Sequence, residues 1–170
     1  MIWSSDDAPK PILVLGVGNS IQMDDGIGVH AIAALRDHSL PDEVELFDGG
    51  TAGLDLLPVL QQRDTVIVID AVDAGLEGGT LFRFTPDDIA AKKQHYDSLH
   101  QLGMLETLRM TRLLGTEPGR TVIFGVQPGT IDWGEELSEA VQNRLPRLIE
   151  LVLEEVGEAM NRRSNDKCQL

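Results

Sequence analysis

One cysteine, Cys168 near the C-terminal end, is all the thiol chemistry in this chain. No internal disulfide can form, and no thiolate metal cluster can be built. Basic side chains are also scarce: 14 Lys and Arg stand against 28 Asp and Glu, a formal net charge of −14. Nucleic-acid backbones need clustered Lys and Arg, so that class of partner is excluded. A cation or a basic partner suits the balance better. Long hydrophobic runs are missing too. The longest are about strand length, so no membrane span is expected. The opening "MIWSSDDAPKP" lacks the basic start and apolar core of a signal peptide, and a cytoplasmic location is expected. Nor is there a G-x-S-x-G nucleophile elbow or an H-E-x-x-H zinc helix.

What is present is the patterning of one domain, long enough at 170 residues to bury a real core. A single domain is expected over 11–157, with a disordered segment at 1–10 and a flexible tail at 158–170. Strands are expected at 11–17, 43–49, 64–72, 79–84 and 120–126. "PILVLGV", "DTVIVIDAV" and "RTVIFGV" are continuous apolar runs, as in strands buried on both faces of a parallel sheet. Helical spacing follows Asp25, and recurs over 52–63, 101–115 and 135–157, with Pro146 kinking or restarting the last. The alternation of strand and helix predicts an α/β fold with right-handed crossovers. "GTLFRF" follows its predecessor like a hairpin arm, which makes the sheet mixed.

Open α/β sheets bind ligands outside the carboxyl ends of their strands. That rule sorts the polar residues onto one rim: Gly18 to Asp25, Asp48, Asp70 and Asp73, and Gln127 with Pro128. "GVGNSI" supplies two glycines of a dinucleotide-binding G-x-G-x-x-G, but Ile21 replaces the third, and Asp24 and Asp25 stand where a phosphate would sit. Asp24 reads as the N-cap of the first helix and Asp25 as a first-turn acid free to face the rim. Asp70 ends the apolar run "TVIVI", where a carboxylate is costly unless paired or bound to a cation. Asp73 reads as a loop residue and His30 as structural. His95 and His100 would lie about 140° apart on one helix, a poor chelating pair, so at most one is a ligand; His100 has the better-defined place. Spacing alone leaves Asp25, Asp70 and His100 as one possible metal-binding rim, and such ligands do not select one divalent ion.

Taken in order, "ILVLGVGNSIQMDDGIGVH", "ELFDGGTAGLDLL", "VIVIDAV", "SLHQLGM" and "VIFGVQPGTIDWGEELS" resemble the maturation endopeptidases of nickel–iron hydrogenases. The likeness runs from about residue 12 to 156. It implies a three-layer α/β/α domain with a twisted, mostly parallel five-stranded sheet. It implies removal of a C-terminal extension from a hydrogenase large-subunit precursor after nickel insertion. It implies Asp25, Asp70 and His100 as metal positions, with Asp25 in place of the family's more common Glu, and Asp25, Asp48 and Asp70 as carboxylates that matter to catalysis, in a family also classed as aspartic-type. Nickel would arrive with the substrate. The implied partners are the precursor and its nickel-insertion chaperones, and the protein is expected to be monomeric. Three rivals stay open on the sequence: a nucleotide-binding oxidoreductase, a non-catalytic nickel-sensing chaperone, and a related germination or acyl-type peptidase on the same scaffold.

Overall fold

The computed structural model describes residues 8–88 and 99–168, without the side chains of residues 99–103 and Lys167. Its sheet is built from β1 (Ile12–Val17), β2 (Val44–Gly50), β3 (Thr65–Ala71), β4 (Leu81–Phe84) and β5 (Arg120–Val126). The strand order is β2-β1-β3-β5-β4. All neighbours run parallel except β4, which pairs antiparallel with β5 from Leu81↔Val126 to Phe84↔Ile123. The mixed sheet expected from "GTLFRF" is present.

Residue alternation divides the sheet into two faces. Ile12, Val14, Ile67, Ile69, Val122 and Phe124 pack beneath α1 (Ile27–Leu35) and the C-terminal helix. Leu13, Leu15, Val66, Val68 and Ile123 pack against Leu56, Leu60, Met104 and Leu108. The latter come from a short turn and helix, α2 (Leu57–Leu60), and from α3 (Leu99–Leu113). Each fully buried Leu or Ile contributes about 2 kcal/mol of burial. β3 is buried along its whole length, which is why its sequence shows no alternation.

Three expectations change. The helix expected at 52–63 is a 3-10 turn, Gly53–Leu56, followed by the four-residue α2; Pro58 is tolerated only because it lies in the first turn. The helix expected at 135–157 is two: α4 (Glu139–Gln142) and α5 (Leu145–Lys167), which Pro146 starts afresh. The segment expected to be a flexible tail from 158 onward continues α5 to Lys167. Ala159 is buried in the core, and Arg162 donates to buried Glu155 at 3.0 Å. Burial would raise the pKa of Glu155, but bonds from Arg83 and Arg162 hold it below the usual value. Residues 1–7, part of the segment expected to be disordered, lie outside the described residues.

Candidate active site

The glycines of "GVGNSIQMDDGIG" are packing devices. α1 crosses β1 and β3 so closely that a Cβ on Gly28 would meet the carbonyl oxygens of Val17 and Ile69, and one on Gly16 would meet Gly28. Gly18, at φ +132°, has the Asp25 carbonyl where its own Cβ would be. The loop after β1 is therefore packed directly on the start of α1, backbone against backbone. The loop's glycines press an acidic turn onto the carboxyl rim of the sheet.

That turn is a 3-10 segment, Met23–Gly26, and α1 starts only at Ile27. Neither it nor α1 has a side-chain cap, so the expected capping role of Asp24 is not what the structure shows. Asp24 is fully buried. Its Oδ2 accepts from the backbone N–H groups of Gly129 and Thr130 at 2.8 and 2.7 Å and from Ser138 Oγ at 2.7 Å. Its Oδ1 accepts from Ser138 N–H at 2.7 Å. One carboxylate thus fastens both ends of the loop after β5 to the loop after β1. The two loops are also joined along their backbones, by Met23 N–H to Gly134 O at 2.8 Å and Gly134 N–H to Ile21 O at 3.0 Å. His30, expected to be structural, lies 3.0 Å through Nε2 from the Glu135 carbonyl.

Asp25 follows, 6% exposed, with Oδ2 accepting from Asn19 N–H at 3.0 Å. Asp70 is 3% exposed at the penultimate position of β3, opposite Gly125 of β5. Desolvation, and then the charge of nearby Asp25, push the Asp70 pKa well above the ordinary carboxylate value; a hydrogen bond from Ala71 opposes them. Asp70 Oδ1 is buried with no hydrogen-bond partner among the described residues. The structure therefore brings Asp25 and Asp70 together, as expected.

Asp48 shares the rim but not the pair. It lies level with Gly16 and Ile69, so two inter-strand spacings, about 10 Å, separate its backbone from β3. Its side chain is exposed, and Oδ1 accepts from Gly50 N–H at 3.0 Å. By alternation it leaves the sheet on the α1 face, whereas Asp70 leaves on the α3 face. His100 falls in the first turn of α3; its side chain is outside those described. His95 lies outside the described residues. Among the described residues no three acids or imidazoles stand together as a metal site.

Two residues escaped the sequence reading. Gln127, placed on the rim without a role, is buried and accepts through Oε1 from Ala74 and Leu76 N–H at 2.8 and 3.2 Å, while its Nε2 donates to Asp73 Oδ1 at 3.1 Å. It fixes the loop after β3; the bond from Gln127, then one from Gly75, lowers the Asp73 pKa. Asp73 is an exposed loop residue, as expected. Ser138 is the other, both its N–H and its hydroxyl spent on Asp24.

Comparison with known proteins places this geometry. The profile of the family described as hydrogenase maturation protease matches residues 29–155. The hydrogenase expression/formation protein HupD of Bradyrhizobium diazoefficiens is 41% identical, over 96% of this chain and 88% of its own. The hydrogenase 2 maturation protease of Escherichia coli is 35% identical, over 87% of this chain and 92% of its own. The solved structure of the hydrogenase maturating endopeptidase HybD from Escherichia coli superposes with a TM-score of 0.81 at 35% identity, covering 87% of this chain and 93% of that one.

Proposed function

The chain belongs to the hydrogenase maturation proteases, and from that premise we propose that it cuts a C-terminal extension from a nickel-loaded hydrogenase large-subunit precursor, using Asp25, Asp70 and His100 to grip the precursor's nickel. The observation that carries the metal assignment is Asp70 Oδ1, buried without a partner among the described residues and beside a second buried acid. A carboxylate so placed is costly until a cation or a proton neutralises it. A divalent ion presented by the substrate meets that need, and two carboxylates with one imidazole are a reasonable donor set for nickel. Nickel is in this reading part of the substrate, and its arrival completes the site.

Hydrolysis adds water across the scissile amide: a C–O bond forms, the C–N bond breaks, and the released amine gains a proton. The substrate's nickel can polarise the carbonyl. Before the nickel arrives, burial and the charge of Asp25 hold the Asp70 pKa above the ordinary carboxyl range, and binding the nickel would displace that proton; the aspartic-type component is then a carboxylate of the pair acting as base toward the attacking water. Asp48, exposed and accepting from Gly50 N–H, orients the water or the substrate backbone in this reading. The protein works as a monomer in the cytoplasm on precursor released by nickel-insertion chaperones.

The test is cleavage of purified precursor with and without nickel, followed by intact mass. The nickel-loaded form is expected to lose its extension, and Asp25→Asn and Asp70→Asn to slow that loss by about 100-fold or more. Equal cutting of nickel-free precursor would sink the nickel grip. Nickel-dependent binding with no cutting would make the protein a sensing chaperone.

A further inference from the structure

The carboxyl rim carries two features that the acid pair does not use. The first is apolar. Five of the eight large hydrophobic residues exposed among the described residues stand on the loops that follow β1, β2, β3 and β5: Ile21, Leu54, Leu76, Ile131 and Trp133. The other three, Met110, Leu113 and Leu114, cluster at the far end of α3. Trp133 is 76% exposed, on a loop that Asp24 and the Gly134 bonds hold rigidly beside Asp25. An exposed aromatic anchored on an ordered loop is the pattern of a binding hot spot.

The second feature is charge. The same four loops, 18–26, 48–57, 72–80 and 127–138, contain no Lys, Arg or His. They contain Asp48, Asp55, Asp73, Glu77, Asp132, Glu135 and Glu136 besides the central acids. Within these four segments the exposed apolar residues are interspersed only with acids, and the segments span three inter-strand spacings, roughly 14 Å from β2 to β5. That breadth suits a folded surface more than a single side chain. The complement of such a face is apolar patches flanked by Lys and Arg.

We infer that this rim is a protein-docking face and that its partner is an apolar surface bearing Lys and Arg; resting on the processing function above, that surface belongs to the precursor, next to the bond to be cut. Ile131 and Trp133 anchor it, and Glu135 and Glu136 steer it.

The experiment measures the Kd for nickel-free precursor and, separately, kcat and KM for cleavage of nickel-loaded precursor. The proteins are the wild type, Ile131→Ala/Trp133→Ala, and Glu135→Lys/Glu136→Lys. Urea unfolding midpoints establish that the variants are folded. The apolar variant is expected to raise Kd and KM about tenfold or more while kcat stays within about twofold. Raising salt from roughly 50 to 500 mM is expected to weaken wild-type binding several-fold and to affect the Lys variant less. Wild-type binding and KM in the apolar variant overturn the inference. So does a fall in kcat alone, which makes the loop part of the chemistry. Loss of a wild-type dimer in the apolar variant, with precursor binding unchanged, also overturns it, since the face then meets a second copy. Precursor binding that obeys these expectations without any cleavage upholds the docking face and sinks the protease reading.

Discussion

Replacing Asp24 with asparagine changes almost nothing in shape and nearly everything in hydrogen bonding. The wild-type carboxylate accepts four bonds of 2.7–2.8 Å, three at Oδ2 and one at Oδ1. The least damaging amide rotamer keeps its oxygen at the three-bond position and turns its NH₂ toward the Ser138 N–H. Three charge-assisted bonds then become neutral, each weaker by about 1 kcal/mol. One buried backbone donor faces another donor, which costs about 1–3 kcal/mol more. The expected loss is roughly 4–6 kcal/mol, as large as the whole stability of many domains. The protein has one escape, since the 128–138 loop can peel away and take water as its partner; the free energy of that local opening caps the global effect. Two assays therefore belong together. Urea unfolding is expected to show a loss of about 3 kcal/mol or more. Failing that, hydrogen exchange is expected to show lost protection at the amides of Gly129, Thr130 and Ser138. A wild-type midpoint together with protected amides would refute the role assigned to Asp24.

Gly28→Ala is expected to cost about 2–3 kcal/mol in urea unfolding, because the added methyl meets two backbone carbonyls and α1 must lift from the sheet; a change under about 0.5 kcal/mol would mean the packing is looser than described. Asp70→Asn is expected to raise the thermal midpoint at neutral pH. Its folded-state pKa lies well above 3.8, so the native state holds a proton that the unfolded chain releases, and wild-type stability falls as pH rises from about 3.8 through the raised value. The gain from the substitution should vanish in acid near the unfolded pKa and grow toward neutrality; a neutral-pH loss of stability, measured calorimetrically without divalent metal, would contradict it.

The sheet was legible because each core strand has one dominant cause. β1, β3 and β5 are covered on both faces and so read as unbroken apolar runs. The acid pair was legible because Asp70 ends such a run, where a charge has no ordinary reason to be. Asp24 was not, because its partners lie 105 to 114 residues away and nothing local marks them. Its only trace was the doubling "DD", one acid more than a helix cap needs. The end of α5 was missed for a similar reason. "NRRSNDK" has the composition of a frayed tail, but Arg162 reaches Glu155, two turns back on the same helix, at 3.0 Å, and Arg163 reaches Asp64, a contact that sequence spacing does not announce.

Adjacent Asp24 and Asp25 show how one loop divides two tasks. Asp24 accepts every bond its carboxylate can use and so over-determines the backbone around it. Asp25 makes its bond to Asn19 and raises the pKa of Asp70 across the rim. Burying Asp70 beside Asp25, with Oδ1 unpartnered among the described residues, is costly, and the obvious relaxation is for the acidic turn to move off the sheet. That route is closed by Gly16, Gly18 and Gly28, which seat the turn and α1 directly on backbone, and by Asp24, which ties the turn to the loop after β5. The two carboxylates are therefore held together at the rim, and the cost is met by the raised pKa of Asp70 rather than by movement of the turn. The same rigidity serves docking: Trp133 rides on the loop that Asp24 fastens, so loosening Asp24 should weaken precursor binding and slow cutting together, whereas loss of Asp25 or Asp70 should slow cutting first.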